Sequence, residues 1–219
     1  MRRWRNWYTH YLEVVAPFRA WRFESSPAHM LYTRKGDSGT TKTFGCDQRI
    51  SKSSIIAEAL GTLDEVNSFL GIVKTMDSGG LKVRTLTEGN EIDVDLRPLM
   101  HSVQENLFII QAELAGAEKT IGEEKVKGLE YIVDTIEKTL PPIKTFFISG
   151  GTSLSAHLDF SRTLARRAER RVVAVAEEGQ VKVGIHTLAY LNRLSSLFYA
   201  LARRNNHFSG INEESPKYK

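Results

Sequence analysis

Two stretches of the sequence carry positive charge in patterns that suit an anionic ligand. The first, YTRKGDSGTTKTFG (32–45), combines glycines with hydroxyl and basic side chains. Glycines let backbone N–H groups approach a ligand closely, and consecutive N–H groups can form an anion-binding nest. The stretch therefore suits a polyphosphate, although its spacing is not that of a P-loop and a solvated loop remains the alternative. Its candidate ligand groups, with one lysine further along, are Thr33, Arg34, Lys35, Gly36, Thr40, Thr41, Lys42 and Lys52.

The second stretch is SRTLARRAERRVV (161–173), which has helical periodicity. Residues four apart lie on one face of a helix, so the stretch carries a stripe formed by Arg162, Arg166 and Arg170. Glu169 lies on a neighbouring line, and Arg167 and Arg171 lie about a quarter-turn away. Such helices usually present a solvated face with ion pairs. Here the same helix must also bury apolar residues, so arginines that border the core need carboxylate or phosphate partners.

Two further polar residues interrupt apolar patterns. Asn192, in YLNRLSSLF, is flanked by leucine and aromatic side chains. It is either a satisfied core amide or a group that faces a ligand. Asp64 follows Leu63 in a predicted helix, where aspartate is not favoured by propensity. We expect Asp64 to face an arginine.

Five segments with apolar residues at spacings of three and four must position these groups. The second is expected to begin at Asp95 as N-cap, and Pro141-Pro142 ends the third. The pattern predicts an all-α fold, a five-helix bundle with ferritin-like up-down packing and a glycine-rich N-terminal segment for nucleotide binding. Residues 77–93 are predicted as a loop, KTFFIS (144–149) is the one strand-like pattern, and the tail after Asn205 is expected to fray. The predicted helices are 55–73, 95–114, 126–140, 154–178 and 185–205.

Composition excludes several classes of protein. Hydrophobic residues make up 41% of the 219 residues and charged residues 26%, as in ordinary globular proteins. The net charge of +4 comes largely from residues 1–29, so the remainder lacks the basic surplus of a nucleic-acid-binding protein. No window has the apolar length of a membrane span. The lone Cys46 and the histidines show no metal-ligand spacing.

The first 29 residues differ in composition from everything that follows, because they contain all the tryptophans. They resemble a transit peptide, an amphipathic surface helix, or an arm that precedes a true start at Met30. The last interpretation is favoured, with residues 1–29 as an extension, 30–206 as the functional domain and 207–219 as a polar tail. A cytoplasmic location is predicted, and a mitochondrial one is the alternative if the extension is a transit peptide.

Taken in order, YTRKGDSGTT, EALGTLDEVNSFLG, FFISGG, SRTLARRAERRVV and YLNRLSSLFYALAR resemble the ATP:cob(I)alamin adenosyltransferases of the propanediol-utilisation type. The resemblance covers Met30 to about Asn205. It implies a homotrimeric bundle with active sites between subunits. It also implies transfer of the 5′-deoxyadenosyl group of ATP to the cobalt of a reduced corrinoid, with release of triphosphate.

The resemblance also implies roles for single residues. Asp64 and Arg162 match a salt bridge across the subunit interface, and Phe146 matches an aromatic residue that closes the lower face of the corrinoid. Together with the phosphate ligand Arg166, these form the expected catalytic set. Mg²⁺ is expected to accompany ATP, without a metal site built by the protein alone. The expected ATP-binding residues are Thr33, Arg34, Lys35, Gly36, Thr41, Lys42, Lys52, Arg166, Arg167, Glu169, Arg170 and Asn192.

Three positions depart from the family pattern. Ser149 replaces a common proline, Ser196 an aspartate and Asp159 a histidine, which puts the corrinoid contacts in question. An ATP-responsive corrinoid escort or sensor without turnover is therefore the alternative function, and a purely structural bundle is a third. Expected partners are a corrinoid reductase and an adenosylcobalamin-dependent enzyme, with neither nucleic acid nor membrane.

Overall fold

The computed structural model describes residues 32–43, 49–76, 80–87 and 90–218. The chain divides into two units, Met1–Ser38 and Gly39–Lys219. Within the first unit, residues 32–38 are described, and they form a turn without a helix or strand. The predictions for the N-terminal extension and for Cys46 lie outside the described residues.

The second unit contains the five helices that the apolar periodicity predicts. Their apolar residues at spacings of three and four are buried, as in the series Ala59, Leu63, Val66, Leu70 and Val73 of the first helix. The prediction of an all-α five-helix bundle is confirmed. The helices are α1 (Ile55–Met76), α2 (Leu96–Leu114), α3 (Glu123–Glu137), α4 (Ser153–Glu178) and α5 (Ile185–Phe208).

Helix α4 occupies the centre of the packing, since it lies along both α1 and α5. Helix α3 packs on the remaining side of α5, and α2 packs on α1. The largest side chains that are completely buried include Tyr190 and Phe198, both on α5. Burial raises the pKa of Tyr190, whose phenol accepts a hydrogen bond from Asn106 Nδ2 at 2.9 Å. The two helices that carry the arginine stripe and Asn192, α4 and α5, pack directly against each other.

Both ends of α4 are set by local sequence. Thr152 is the N-cap, and its Oγ1 accepts a hydrogen bond from the Ser155 backbone N–H at 3.0 Å. Gly179 ends the helix with a φ of 75°, a left-handed conformation that glycine adopts without a steric penalty. These caps fix the register of α4, and with it the direction in which each arginine points.

The predicted loop at 77–93 is wrong, because part of it forms an antiparallel hairpin. Strand β3 (Lys82–Thr87) pairs with β4 (Asn90–Asp95), with Val83 opposite Val94. Val83 is buried, whereas Arg84 and Asp93 are exposed and form an ion pair at 3.3 Å. In β3, Thr85 and Thr87 follow Val83 at spacings of two, so the period-two apolar pattern is weak in the sequence.

A second, smaller hairpin also escaped prediction. Strands Thr40–Lys42 and Arg49–Ser51 pair antiparallel, with Thr41 opposite Ile50. In chain order these two strands are β1 and β2. The Lys52 backbone N–H donates to the Gly39 carbonyl at 2.9 Å and extends the pairing by one bond. Part of the glycine-rich stretch is therefore strand.

Three local predictions also need correction. KTFFIS is not a strand, because the segment 141–149 has neither helix nor strand, and the Ile148 N–H bonds to the Glu214 carbonyl at 2.8 Å. The tail does not fray at Asn205: α5 continues to Phe208, and beyond it Glu213 bonds Arg203 of the bundle. Asp95 takes the N-cap position of α2, but its side chain makes no capping hydrogen bond.

Candidate functional site

A small cavity of about 260 Å³ lies between α4 and α5. Its α4 wall repeats at spacings of three and four, which places the residues on one helical face. The α5 wall contributes Asn192. The fold therefore brings together several of the predicted ATP-binding residues, since the lining consists of Arg166, Glu169, Arg170, Val173 and Asn192.

Hydrogen bonds fix the orientation of Asn192. Its Nδ2 donates to Glu169 Oε1 at 2.9 Å, and its Oδ1 accepts from Arg193 at 2.6 Å. Arg193 in turn bonds Glu130 of α3 at 2.8 Å. Because the amide is bonded on both sides, it presents a defined edge to the cavity. Asn192 is exposed rather than buried, which excludes the alternative of a core amide.

The arginines of α4 fall into two groups. Arg167 and Arg171 turn towards α1 and form ion pairs with Glu65 and Glu58. Arg166 and Arg170 form no ion pair within the part of the chain that the structure describes, and both line the small cavity. Arg167 and Arg171 therefore lie on a solvated face with ion pairs, although Arg167 was expected to contact ATP. The second group leaves forked donors available to an anion.

A larger cavity of about 870 Å³ adjoins the first, and Arg166 lines both. Helices α4 and α5 form one side. The irregular segment 143–151 and residues 211–214 of the tail form the other. The lining of the larger cavity includes Phe146, Asp159, Arg162, Ser196, Tyr199 and Arg203.

The polar floor of the larger cavity is organised around Arg162. Its Nε bonds Asp159 Oδ1 at 3.1 Å, and its guanidinium lies 5.9 Å from the centre of the Tyr199 ring. Burial raises the pKa of Tyr199, so its hydroxyl stays protonated at neutral pH. Within the chain, Arg162 thus pairs with Asp159, a residue that departs from the family pattern. Asp64, its expected partner across an interface, is exposed on α1.

Phe146 lies on the irregular wall and is 78% exposed. A side chain with that exposure contributes little to the core, and because it lines the larger cavity it is available to contact a ligand there. Ser196 and Asp159 line the same cavity. All the positions where the family pattern was questioned, Ser149 included, therefore belong to the larger cavity, and none lines the smaller one.

The glycine-rich stretch is described in two parts. In the first unit, Arg34 adopts a φ of 60°, and its carbonyl accepts a hydrogen bond from the Asp37 N–H at 3.2 Å. The Lys35 N–H donates to Thr33 Oγ1 at 3.4 Å, and Gly36 lies within the same turn. A non-glycine residue with positive φ is uncommon and marks a backbone held in a specific shape.

In the second unit, Thr41 and Lys42 belong to β1, and Lys52 directly follows β2. Lys42 and Lys52 are exposed, whereas Thr41 is half-buried.

Sequence reasoning missed the tail and the inner face of α5. Tyr199 and Arg203 follow Ser196 at spacings of three and seven, so they continue the face that begins at Asn192. That spacing was a usable signal. The return of residues 211–214 to the cavity left no periodic signal, because the tail has no regular secondary structure.

Within the described ranges, the chain has neither a cluster of metal-ligating side chains nor a membrane-spanning helix. No group of three or more His, Cys, Asp or Glu side chains there could hold a metal ion. No helix in these ranges combines the length and apolarity needed to cross a bilayer.

Comparison with known proteins identifies the family. Residues 31–205 match the model of the cobalamin adenosyltransferase family. The chain belongs to this family, which confirms the resemblance seen in the motifs. The match begins after the N-terminal extension and ends within α5.

Individual proteins of this family are also similar to the chain in sequence. The chain is 37% identical over 187 residues to the corrinoid adenosyltransferase of Bacillus subtilis, covering 84% of this chain and 90% of the relative. It is 37% identical over 185 residues to the corrinoid adenosyltransferase PduO of Citrobacter freundii, covering 81% of this chain and 50% of the relative. It thus spans about half the length of the PduO relatives it matches.

Solved structures share the fold. A variant of the PduO-type ATP:corrinoid adenosyltransferase from Lactobacillus reuteri, complexed with cobalamin and ATP, superposes with a TM-score of 0.74. That protein is 28% identical, and the match covers 86% of this chain and 97% of the other. A second variant of the same enzyme, complexed with ATP, has a TM-score of 0.71.

Proposed function

We propose that this protein transfers the 5′-deoxyadenosyl group of ATP to the cobalt of cob(I)alamin and releases triphosphate. The observation that carries the proposal is the pair of adjoining cavities that share Arg166. The smaller has the chemistry of a phosphate site, and the larger has the volume and aromatic wall for part of a corrin ring. Similarity to proteins that bind ATP and cobalamin together supports this assignment.

The bonds that change need no nucleophile from the protein. Cobalt(I) attacks C5′ of ATP, a cobalt–carbon bond forms, and the C5′–O bond breaks. The electron pair of that bond leaves on the triphosphate oxygen, and cobalt becomes formally Co(III). The work of the protein is to align C5′ with cobalt and to stabilise the charge that develops on the leaving group.

The helical residues divide these tasks. Arg166 and Arg170 offer forked donors to phosphate oxygens, and Glu169 holds Asn192 in one orientation. Arg166 lies where the two cavities meet, so it is the group best placed to act on the leaving oxygen. Phe146 would cover the lower face of the corrinoid and keep water and an axial ligand from cobalt. Arg162 supports that region through Asp159 and Tyr199.

The glycine-rich stretch is assigned to the phosphate tail of ATP. The left-handed backbone at Arg34 supports this role, because such strain persists where a specific shape is useful. In this proposal Thr33, Lys35 and Gly36 contribute hydroxyl, charge and backbone N–H groups. Thr41, Lys42 and Lys52 add further donors.

Magnesium is expected to enter with ATP. Mg²⁺ is commonly held by substrate phosphates, water and one or two carboxylates, so it does not require a cluster of protein ligands. Glu169 is the carboxylate that lines the smaller cavity, and its oxygens suit this ion. When bound, the ion would offset phosphate charge.

Assembly as a homotrimer is part of the proposal. Exposed apolar side chains on several helices, including Ile72, Phe108 and Phe160, are typical of a surface that another chain covers. Phe160 packs edge-on against Phe69 with ring centres 4.9 Å apart, which forms an aromatic patch between α1 and α4. Asp64, exposed on α1, would pair with Arg162 of a neighbouring subunit across this interface.

The chemistry requires a supplier and a consumer. Cob(I)alamin is a strong reductant that must be produced by an electron donor, for which a corrinoid reductase is the expected partner. The product is the cofactor of adenosylcobalamin-dependent enzymes, one of which would receive it. We place this exchange in the cytoplasm, as the sequence predicts.

The test is a single-turnover reaction of the full chain with ATP and chemically reduced cobalamin. The expected result is the visible spectrum of a Co–C bond, with one triphosphate released for each product formed. A ligand at 100 times its Kd should also raise the free energy of unfolding by about 2.7 kcal/mol, which thermal shift with ATP would reveal. Tight ATP binding without a Co–C bond would favour the escort or sensor.

A further inference from the structure

Arg203 is a charged residue inside the bundle, with only 5% of its surface exposed. It lies on α5 four residues after Tyr199, and it lines the larger cavity. Charged side chains are almost never buried to this extent unless they are paired. Its partners therefore indicate what the position does.

One partner comes from the tail. Arg203 Nε bonds both carboxylate oxygens of Glu213, at 2.9 and 3.0 Å, and a second nitrogen bonds Glu213 Oε2 at 2.9 Å. A forked pair of this kind is stronger and more directional than a single charged contact. The side chains are 6% and 20% exposed, so solvent screens the pair weakly.

The other partners come from the irregular segment that follows α3. Arg203 also donates to the Pro141 carbonyl at 3.1 Å, and its guanidinium lies 5.3 Å from the centre of the Phe147 ring. On its own helix it lies 6.0 Å from the centre of the Tyr199 ring. One side chain thus contacts α5, the segment 141–149 and the tail.

The two non-helical segments are also bonded to each other. The Ile148 N–H donates to the Glu214 carbonyl at 2.8 Å, two residues beyond Phe146. We call residues 211–214 the C-terminal strap. Arg203 and the Ile148–Glu214 hydrogen bond both join the strap to the segment that carries Phe146. The two segments therefore form one continuous wall of the larger cavity.

We propose that Arg203 and Glu213 are positioning residues that hold this wall in the shape that receives the corrinoid. The inference rests on the proposed function, because it assigns the larger cavity to that substrate. Neither residue lines the smaller cavity, and no described contact of Arg203 reaches a residue that does. Loss of the pair should therefore impair corrinoid use and leave ATP use intact.

The decisive variant is Glu213→Gln, which keeps the size of the side chain and removes its charge. In full-length protein we expect the KM for cob(I)alamin to rise about tenfold, because a misplaced wall weakens substrate positioning. The KM for ATP should stay within about twofold. Glu178→Gln is the matched control, since this carboxylate is exposed at the end of α4 and outside both cavities.

Arg203→Lys provides a second variant that keeps the buried charge but loses the fork. It should raise the KM for cob(I)alamin in the same direction, because lysine cannot bond the strap and Pro141 together. Hydrogen exchange at the Ile148 amide reports the wall directly. Exchange there should be faster in both variants than in the control.

Unchanged KM for cob(I)alamin in Glu213→Gln would overturn the inference. An equal rise in both KM values, with a lower melting temperature, would also overturn it by showing a general structural role. Anaerobic titration with cob(II)alamin in the presence of ATP separates failure of this inference from failure of the proposed function. If the wild type forms no Co–C bond, about tenfold weaker cob(II)alamin binding by Glu213→Gln still supports the wall, and equal binding refutes it.

Discussion

The two cavities of this protein are built in different ways. The smaller one lies between two regular helices, and the spacing of its arginines can be read from the sequence. The larger one has helices on one side only, and its other wall consists of residues 143–151 and 211–214 without regular secondary structure. Arg166 belongs to both.

In the proposed function, this difference follows the chemistry that each cavity would provide. Phosphate oxygens need charges at fixed directions, which a capped helix packed on a neighbour supplies without further support. A corrin ring is broad and needs a large concave surface, which helix faces alone do not enclose. The chain meets that need with non-helical segments, and it anchors them with buried polar contacts such as Arg203 to Glu213.

Removing the shared residue should have the largest effect. Arg166→Ala is expected to lower kcat/KM by about 10²–10³, the usual cost of losing a donor to a developing negative charge. Sedimentation should show the same oligomer as the wild type, because Arg166 lines the cavities and is not part of the aromatic patch assigned to the interface. Arg171→Ala is the control, since that residue pairs with Glu58 outside both cavities. Wild-type turnover by the Arg166→Ala variant would contradict the proposal that Arg166 serves both cavities.

The joint between the irregular wall and α4 should be next in sensitivity. Gly151 has a φ of 101°, and a Cβ there would lie 2.2 Å from Asn206 Oδ1. That oxygen accepts the Thr152 N–H at 3.1 Å, so Gly151→Ala disturbs the start of α4. We expect the free energy of unfolding to fall by about 1–3 kcal/mol in urea titrations.

Gly128→Ala is the control for that measurement. Gly128 lies in α3 with open space around its Cα, so alanine should stabilise the protein by about 0.5–1 kcal/mol. If the two variants unfold alike, the strained joint does not hold the wall.

The aromatic group on the irregular wall should separate the cavities kinetically. Phe146→Ala is expected to slow Co–C bond formation about tenfold while the KM for ATP stays unchanged, since Phe146 lines only the larger cavity. Its melting temperature should equal that of the wild type, because the side chain is largely exposed. Ile185→Ala, equally exposed at the start of α5, is the comparison. A changed KM for ATP would show that the cavities are not independent.

The smallest effect is expected from Asp64→Ala. An ion pair that stays in contact with water is worth about 0.2–1 kcal/mol, so ATP affinity and assembly should weaken only a few-fold. Sedimentation over a dilution series and the KM for ATP measure both. A double variant with Arg162→Ala should be no worse than the more damaging single change, if the two residues act as a pair.

Much of this arrangement could be predicted because its signals are local. Helical periodicity predicts α1 to α5, and spacing by four places Arg166 and Arg170 on one face of α4. What spacing could not decide is which arginines are available. Arg167 and Arg171 have the same residue type and a similar spacing, but the position of α1 engages them with Glu65 and Glu58.

The failures have the opposite character. The hairpin from Lys82 to Asp95 has a weak period-two pattern, because Thr85 and Thr87 follow Val83 at spacings of two. In the strand-like KTFFIS, the Ile148 N–H bonds to the Glu214 carbonyl instead of a strand. Asp159 looked like a simple departure from a family pattern, yet it holds Arg162 in the larger cavity. The Ile148 contact joins residues far apart in the sequence, whereas Asp159 and Arg162 lie three apart on α4, a helical spacing that was a usable signal.

The amino-acid sequence by itself determined the five helices, the family and the cationic face of α4, because these depend on periodic burial and on residue types at fixed spacing. Only the tertiary structure decided that Arg166 lines two cavities and that the tail folds back to line the larger one. The physical reason is that a helix encodes its own geometry every few residues. The irregular wall, by contrast, depends on side-chain contacts between separate segments, such as Arg203 to Glu213.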